Sequence, residues 1–320
     1  MSKSALIAVG GNSLIRAGER GTVPEQIENA RRVGKGIACL LGEGFHLVIT
    51  HGNGPQVGAA LLRSERAAGQ VYEHSLDVCG AATQGEIGFI LQQALQLEIQ
   101  SMGLSQPIAT VLTQAVVAAD DPAFQNPTKP IGPFYSKDAA EEKTRVLHWQ
   151  MVEDSYRGYR RVVASPDPLE IVEEDVIRRM LKEGILVIAV GGGGIPVVRD
   201  HGALRGVEAV IDKDRASQLL ASRLPVERLI ITTGADYIYL NYKKPDEVAL
   251  KRVAASELKV HYEAGQFPPG SMGPKVQAAL RFLENGGKEA IITSDEALVE
   301  AVHEGAGTHV YSTACEGGVA

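Results

Sequence analysis

The residues best suited to chemistry in this sequence are glycines and lysines rather than a nucleophile paired with a base. Three glycine clusters, Gly10-Gly11-Asn12, Gly52-Asn53-Gly54 and Gly191-Gly192-Gly193-Gly194, each follow a short apolar run. Glycine at the carboxyl end of a strand lets backbone amides approach an oxyanion, and the next helix adds the positive potential of its N-terminus. A single such turn is commonplace; three together predict one anionic site. Neither GxGxxG nor GxxxxGK[ST] is met, so neither a dinucleotide-binding enzyme nor a P-loop enzyme is supported.

Three lysines stand in contexts that suit a phosphoryl group, whose transfer needs positive charge around the moving oxygens and little covalent help. Lys213 lies between Asp212 and Asp214 in Ala209-Val-Ile-Asp-Lys-Asp214. Lys275 ends Gly270-Ser-Met-Gly-Pro-Lys275 at a helix start. There its charge opposes the helix dipole at a cost of about 0.3–1 kcal/mol unless an anion is near. Lys129 is fixed between prolines in Asn126-Pro-Thr-Lys-Pro. His51, at a strand end, reads as hydrogen-bonded scaffold and not as an acid or base. The carboxylates around Asp212 do not make a metal cage; Mg²⁺ in such chemistry is held chiefly by phosphates and water.

These residues need elements to position them. Short β-branched apolar runs recur at residues 5–9, 47–50, 108–112, 185–190, 229–233, 237–240 and 290–293, most of them separated by helix-like stretches. The alternation predicts an α/β protein with a mainly parallel sheet, and the unbroken hydrophobicity of ILVIAV and LIIT predicts helices on both faces. Thr22-Val-Pro-Glu25 and Asp167-Pro-Leu-Glu170 read as capping-box helix starts, and Gly42, Gly44, Gly103 and Gly184 as left-handed helix stops. A polar, Pro- and Tyr-rich stretch from about 120 to 168 breaks the rhythm and reads as a small excursion or lid.

The 320 residues are 44% hydrophobic and 22% charged, with a net charge of −7, enough for a substantial core and without the basic surplus of a nucleic-acid footprint. Small-molecule partners are expected. No apolar stretch reaches the roughly 18 residues of a membrane helix, and the N-terminus reads as a strand rather than a secretion signal. Cys39, Cys79 and Cys315 are odd in number and widely spaced, which fits neither a disulfide framework nor a zinc site and suits a reducing, cytoplasmic setting.

Taken in order, VGGNSL, THGNGPQVG, LDVCGAATQGEIG, GGGGIPV, AVIDKD and GSMGPKV resemble the carbamate kinases over essentially the whole chain. HGNGPQVG and GSMGPKV are specific to that family; GGN alone marks the broader amino-acid kinases, and TKPIGPFYS resembles the family's protruding subdomain. The resemblance implies a three-layer α/β/α sandwich around an open, mainly parallel, roughly eight-stranded sheet. It implies a carbamate-binding lobe over about 1–210 carrying the subdomain, a nucleotide-binding lobe over about 211–320, and a homodimer. It implies that Gly10, Gly11, Asn12, Gly52, Asn53 and Gly54 hold carbamate and the phosphoryl group, and that Lys129, Lys213 and Lys275 stabilise its transfer. Asp214, with Asp212 beside it, would organise the lysines. Gly234, Ala235, Asp236, Tyr242, Met272 and Gly273 would fall on the nucleotide side, with ATP or ADP as substrate and Mg²⁺ riding on its phosphates.

Three departures bear on the nucleotide contacts more than on the phosphoryl site. Ser13 stands where Ala is usual, residues 233–236 replace a TDVD-like run, and residues 304–308 lack the lysine of a GKAGT-like motif. The alternatives are a kinase of another small acceptor such as acetylglutamate or aspartate, a non-catalytic sensor that has kept the fold, and a carbamoyl transferase. A sensor would favour loss of a site lysine, and a transferase would call for an Arg-rich phosphate pocket.

Overall fold

The computed structural model describes residues 3–11, 13–16, 18–153 and 158–312; Asn12 and Cys315 lie outside them. The strands are β1 (Ser4–Val9), β2 (His46–His51), β3 (Ile108–Thr110), β4 (Gln114–Val117), β5 (Lys129–Tyr135), β6 (Met151–Glu153), β7 (Tyr159–Val163), β8 (Pro168–Ile171), β9 (Leu186–Ile188), β10 (Ile195–Asp200), β11 (Ala203–Gly206), β12 (Arg228–Thr233), β13 (Ile238–Leu240), β14 (Val248–Leu250), β15 (Arg252–Ala254), β16 (Glu289–Ser294) and β17 (Thr308–Tyr311). The helices are α1 (Val23–Gly42), α2 (Gly54–Ala67), α3 (Leu76–Ser101), α4 (Lys137–Leu147), α5 (Glu174–Lys182), α6 (Lys213–Arg223), α7 (Ala255–Glu263), α8 (Met272–Glu284) and α9 (Leu298–Val302).

Eight strands form one sheet in the order β15-β17-β16-β12-β1-β2-β9-β3. All neighbours pair parallel except β16 and β17. Side chains of β1 alternate between two cores: Leu6 and Ala8 pack on the face shared with α6 and α8, and Ala5, Ile7 and Val9 on the face shared with α1 and α3. Period-two alternation with both faces buried is what makes such a strand read as an unbroken apolar run. Each fully buried Leu or Ile contributes about 1.5–3 kcal/mol relative to exposure. The expected three-layer sandwich is present.

Beside this body, β5, β7 and β6 form a three-stranded antiparallel sheet that carries α4, so the polar stretch is a small folded excursion. It rests on α2 where Gly58 and Gly132 meet; a Cβ on Gly58 would fall 2.3 Å from the Gly132 Cα, so no side chain fits at that crossing. Lys143 reaches Glu65 of α2 and lies over the rings of Tyr135 and Trp149.

Three local expectations are corrected. Asp167 starts no helix: Pro168–Ile171 is β8, the edge of a second sheet ordered β11-β10-β4-β8, and helix α5 begins only at Glu174. An edge strand tolerates Pro because one side needs no donor, and Asp167 spends its carboxylate on Arg215 and Arg281. Residues 237–240 do not join the main sheet; Ile238–Leu240 pairs antiparallel with β14 in a separate hairpin. Gly42 is the last residue of α1, and the left-handed turn falls at Gly44, with φ +84°. Thr22 behaves as expected, its N–H bonding to Glu25 at 2.8 Å. Among the described residues no helix is long and apolar enough to cross a membrane.

Candidate functional site

The parallel strands β1 and β2 end at Val9 and His51, so Gly11, Gly52, Asn53 and Gly54 meet along one edge of the sheet. A Cβ on Gly52 would lie 2.7 Å from the Gly11 Cα; the two turns approach this closely because neither carries a side chain. They form one wall of a cavity of about 320 Å³. The other walls come from Lys129 and Arg160 of the subdomain, from Asp212, Lys213 and Asp214 at the start of α6, and from Ser271, Pro274 and Lys275 at the start of α8. Helices α2, α6 and α8 all point their N-termini here, adding partial positive charge to that of the lysines.

The lysines are held by two carboxylates. Asp214 takes Lys213 at 2.7 Å on one oxygen and Lys275 at 3.0 Å on the other. Asp212 takes Lys129 at 2.6 Å, and its second oxygen caps α6 by accepting the Asp214 N–H at 2.9 Å. Lys213 also donates to the Ala8 carbonyl at 3.2 Å, which ties it to β1. Burial alone raises the Asp214 carboxyl, but Lys213 and Lys275 outweigh it and hold it well below the usual carboxylate range. Burial likewise raises Asp212, and Lys129 overcomes that effect. Burial pulls the Lys213 ammonium below its ordinary value, with Asp214 opposing and Lys275 reinforcing. Four cationic side chains against two carboxylates leave the lining positive, as a multiply charged oxyanion requires.

His51 is buried, and its Nδ1 donates to the Gly52 carbonyl at 3.0 Å. Burial pulls its pKa down to about 4. It is neutral scaffold beneath the glycine turn, as its position at a strand end suggested. Asn53 gives its side-chain amide to Thr83 at 2.9 Å.

Lys129, Lys213, Lys275, Asp212, Asp214, Gly11, Gly52, Asn53 and Gly54 therefore share one cavity. Gly10 stands behind its wall, giving its N–H to Thr232 at 3.2 Å. Asn12 lies outside the described residues. Of the third glycine cluster only Gly192 reaches the lining. The six nucleotide-side residues do not line this cavity. Gly234, Ala235 and Asp236 follow β12 at the same sheet edge, Met272 packs against the core, Gly273 is buried, and Tyr242 is exposed beside Tyr239. Arg160 was not legible in the sequence. Its Nε donates to the Gly132 carbonyl at 3.1 Å and its guanidinium lies 5.2 Å from the Phe134 ring. Nothing local separates it from Arg161, which faces Trp149 instead.

A parallel sheet with glycine turns and acid-held lysines at its carboxyl edge is the architecture of a phosphoryl-transfer enzyme. The amino acid kinase family matches residues 3–294. A carbamate kinase of Thermococcus kodakarensis is 48% identical over 312 residues, covering 96% of this chain and 99% of that protein. The solved carbamate kinase of Giardia lamblia bound to AMP-PNP superposes with a TM-score of 0.91 at 41% identity, covering 97% of this chain and 99% of that one. An N-acetylglutamate synthase of Neisseria gonorrhoeae, at 16% identity and a TM-score of 0.56, shares the fold alone. The chain belongs to the amino acid kinase family and, within it, to the carbamate kinases.

Proposed function

We propose that this chain catalyses reversible phosphoryl transfer between Mg-ATP and carbamate, giving ADP and carbamoyl phosphate, and that it serves to make ATP. The observation that carries this reading is the grouping of Lys213, Lys275 and Lys129 on Asp214 and Asp212 around a cavity walled by two glycine turns. Carbamate is already an anionic nucleophile, so the reaction needs no base, and this cavity offers none. Its contribution is to align the two reactants and neutralise charge on the transferring oxygens.

Within that reading, Lys213 and Lys275 are the fixed cations of the phosphoryl site and Lys129 is a third, brought by the subdomain. Gly11, Gly52, Asn53 and Gly54 offer backbone to the transferring group and to carbamate. The nucleotide extends from there over the C-terminal half, towards Gly234–Asp236 and Tyr242. Mg²⁺ enters as part of that substrate: both cavity carboxylates are engaged by lysines, so the ion is held by phosphates and water. The stretch from about 120 to 168 acts as a lid, since it supplies Lys129 and Arg160 to the cavity. A cytoplasmic homodimer completes the reading; Val78, Phe89 and Leu97 of α3 are exposed apolar side chains that a second copy would cover.

An acceptor panel tests the assignment. With Mg-ATP held constant, ADP release is expected with carbamate and not with acetylglutamate or aspartate. Preference for a larger acceptor would move the chain to another branch of the family's chemistry.

A further inference from the structure

Helix α3 carries the run LDVCGAATQGEIG, and two consecutive residues in it, Thr83 and Gln84, reach the cavity wall from behind. Both are buried. Thr83 gives its hydroxyl hydrogen to the Gly80 carbonyl at 2.8 Å, so towards Asn53 its oxygen can only accept, and it takes the Asn53 side-chain N–H at 2.9 Å. This fixes which end of the Asn53 amide faces α3.

Gln84 is engaged at three points. Its Oε1 accepts the Thr113 N–H at 2.8 Å, and its Nε2 donates to the Thr113 and Gly191 carbonyls, each at 3.0 Å. A side-chain amide has two N–H hydrogens, and both are used. Gln84 thereby joins α3 to the segment between β3 and β4 and to the turn that follows β9. Val190, which opens that turn, is buried and β-branched yet left-handed, with φ +51°, a conformation that persists only where neighbours impose it. The neighbour is Thr113. Its hydroxyl accepts the Val190 N–H at 3.0 Å, and its carbonyl accepts the Ile195 N–H at 2.8 Å. Both ends of the turn are tied to Thr113, and both backbone groups of Thr113 are tied to Gln84.

The turn carries Gly192 into the cavity lining beside Asn53. With φ +65°, Gly192 lies so close that a Cβ there would fall 2.2 Å from the Asn53 Nδ2. Thr83 fixes the Asn53 amide from one side, and Gln84 fixes the backbone that backs it from the other. We propose that Gln84 is a positioning residue for the acceptor end of the phosphoryl cavity, holding the turn over residues 190–195 so that Gly192 seats the Asn53 amide. Gln84 itself does not line the cavity.

The inference rests on the kinase reading, in which the nucleotide extends over the C-terminal half and leaves this end of the cavity to the acceptor; its test separates the two. ATP formation from ADP, Mg²⁺ and carbamoyl phosphate is measured for the parent, Gln84→Met, Thr113→Val, their double variant and Thr113→Ser, together with hydrogen exchange of residues 186–196. Gln84→Met keeps the side-chain volume and loses all three bonds. It is expected to lower kcat/KM for carbamoyl phosphate by about tenfold or more, because a small misplacement of binding groups is amplified in the transition state. KM for ADP should stay within about twofold of the parent, and exchange should quicken in that segment alone. Thr113→Val removes the hydroxyl that takes the Val190 N–H and should act in the same direction, with the double variant losing little beyond the worse single one. Thr113→Ser keeps the hydroxyl and should stay within about threefold of the parent. Kinetics within about twofold of the parent with unchanged exchange in Gln84→Met would overturn the proposal. Exchange faster throughout the chain, with KM for ADP raised as much as KM for carbamoyl phosphate, would also overturn it by making Gln84 an ordinary core residue. If Gln84→Met does not fold, Thr113→Val against Thr113→Ser is judged on the same two readouts. If the parent makes no ATP, the kinase reading fails and the exchange comparison alone decides whether Gln84 holds the turn.

Discussion

Asp212 and Asp214 stand two residues apart at the start of α6, yet they hold lysines from different parts of the molecule. Asp214 grips Lys213 and Lys275, both from the body, whose side chains are only 10% and 15% exposed. Asp212 grips Lys129 from the subdomain, 36% exposed. The first group sits on helices packed against the main sheet and is fixed by the core. The second crosses between the body and a small sheet that meets it through one glycine crossing, the Lys143–Glu65 pair and a small apolar cluster in which Ile131 and Val163 pack on Val57, Leu76 and Cys79. One cavity thus has a wall built with the core and a wall that is docked onto it, and similar ion pairs should differ in what they contribute. Removing a partner from the buried group costs stability as well as charge placement; the Lys129–Asp212 pair is open to solvent at its lysine end, is screened there and should matter mainly when an anion is bound.

The largest effect should come from the fixed wall. Lys213→Ala and Lys275→Ala are each expected to lower turnover by about a thousandfold or more, the scale of losing a main electrostatic group from a phosphoryl site. Asp214→Ala should do the same and also destabilise the protein by about 3–5 kcal/mol, because two buried ammonium groups would face one another unpaired. Thermal unfolding beside initial rates separates the two losses. The docked wall comes next. Lys129→Ala should lower turnover by about 10–100-fold, with a melting temperature shifted by less than about 2 °C. A stability loss matching that of Asp214→Ala would erase the distinction between the walls.

The last effect touches stability and not turnover: a pH dependence centred on His51, which lies buried under the glycine turn of the fixed wall. Its pKa is about 4 in the fold against about 6.5 unfolded. Between those values the unfolded chain binds the extra proton, so stability should decline as pH falls from about 6.5 to about 4, by roughly 3 kcal/mol in all. Asp212 and Asp214 carry depressed values. Their contribution is present above the ordinary carboxylate range and is lost only in stronger acid. Denaturant titrations of parent and His51→Asn across pH 4–7 check this; the variant should lose the slope in that window.

The two walls were also unequally legible. The fixed wall announces itself, since β1, β2 and β12 are unbroken apolar runs and Lys213 and Lys275 carry their context within a few residues. The docked wall depends on contacts far apart in sequence. Lys129 meets Asp212 83 positions away, and Arg160 faces the cavity where its neighbour Arg161 does not, a choice made by how the small sheet seats on α2. The Asp167 segment was misread because Asp-Pro-x-Glu fits a capping box and an edge strand equally well; pairing with β4 decided between them.

The most direct test of the account is ATP formation from ADP, Mg²⁺ and carbamoyl phosphate by the parent, Lys129→Ala and Lys275→Ala, with melting temperatures recorded on the same samples. The account predicts rapid synthesis by the parent, a partial loss in Lys129→Ala and near-complete loss in Lys275→Ala. Equal activity in parent and Lys275→Ala, or no synthesis by well-folded parent protein, would contradict it.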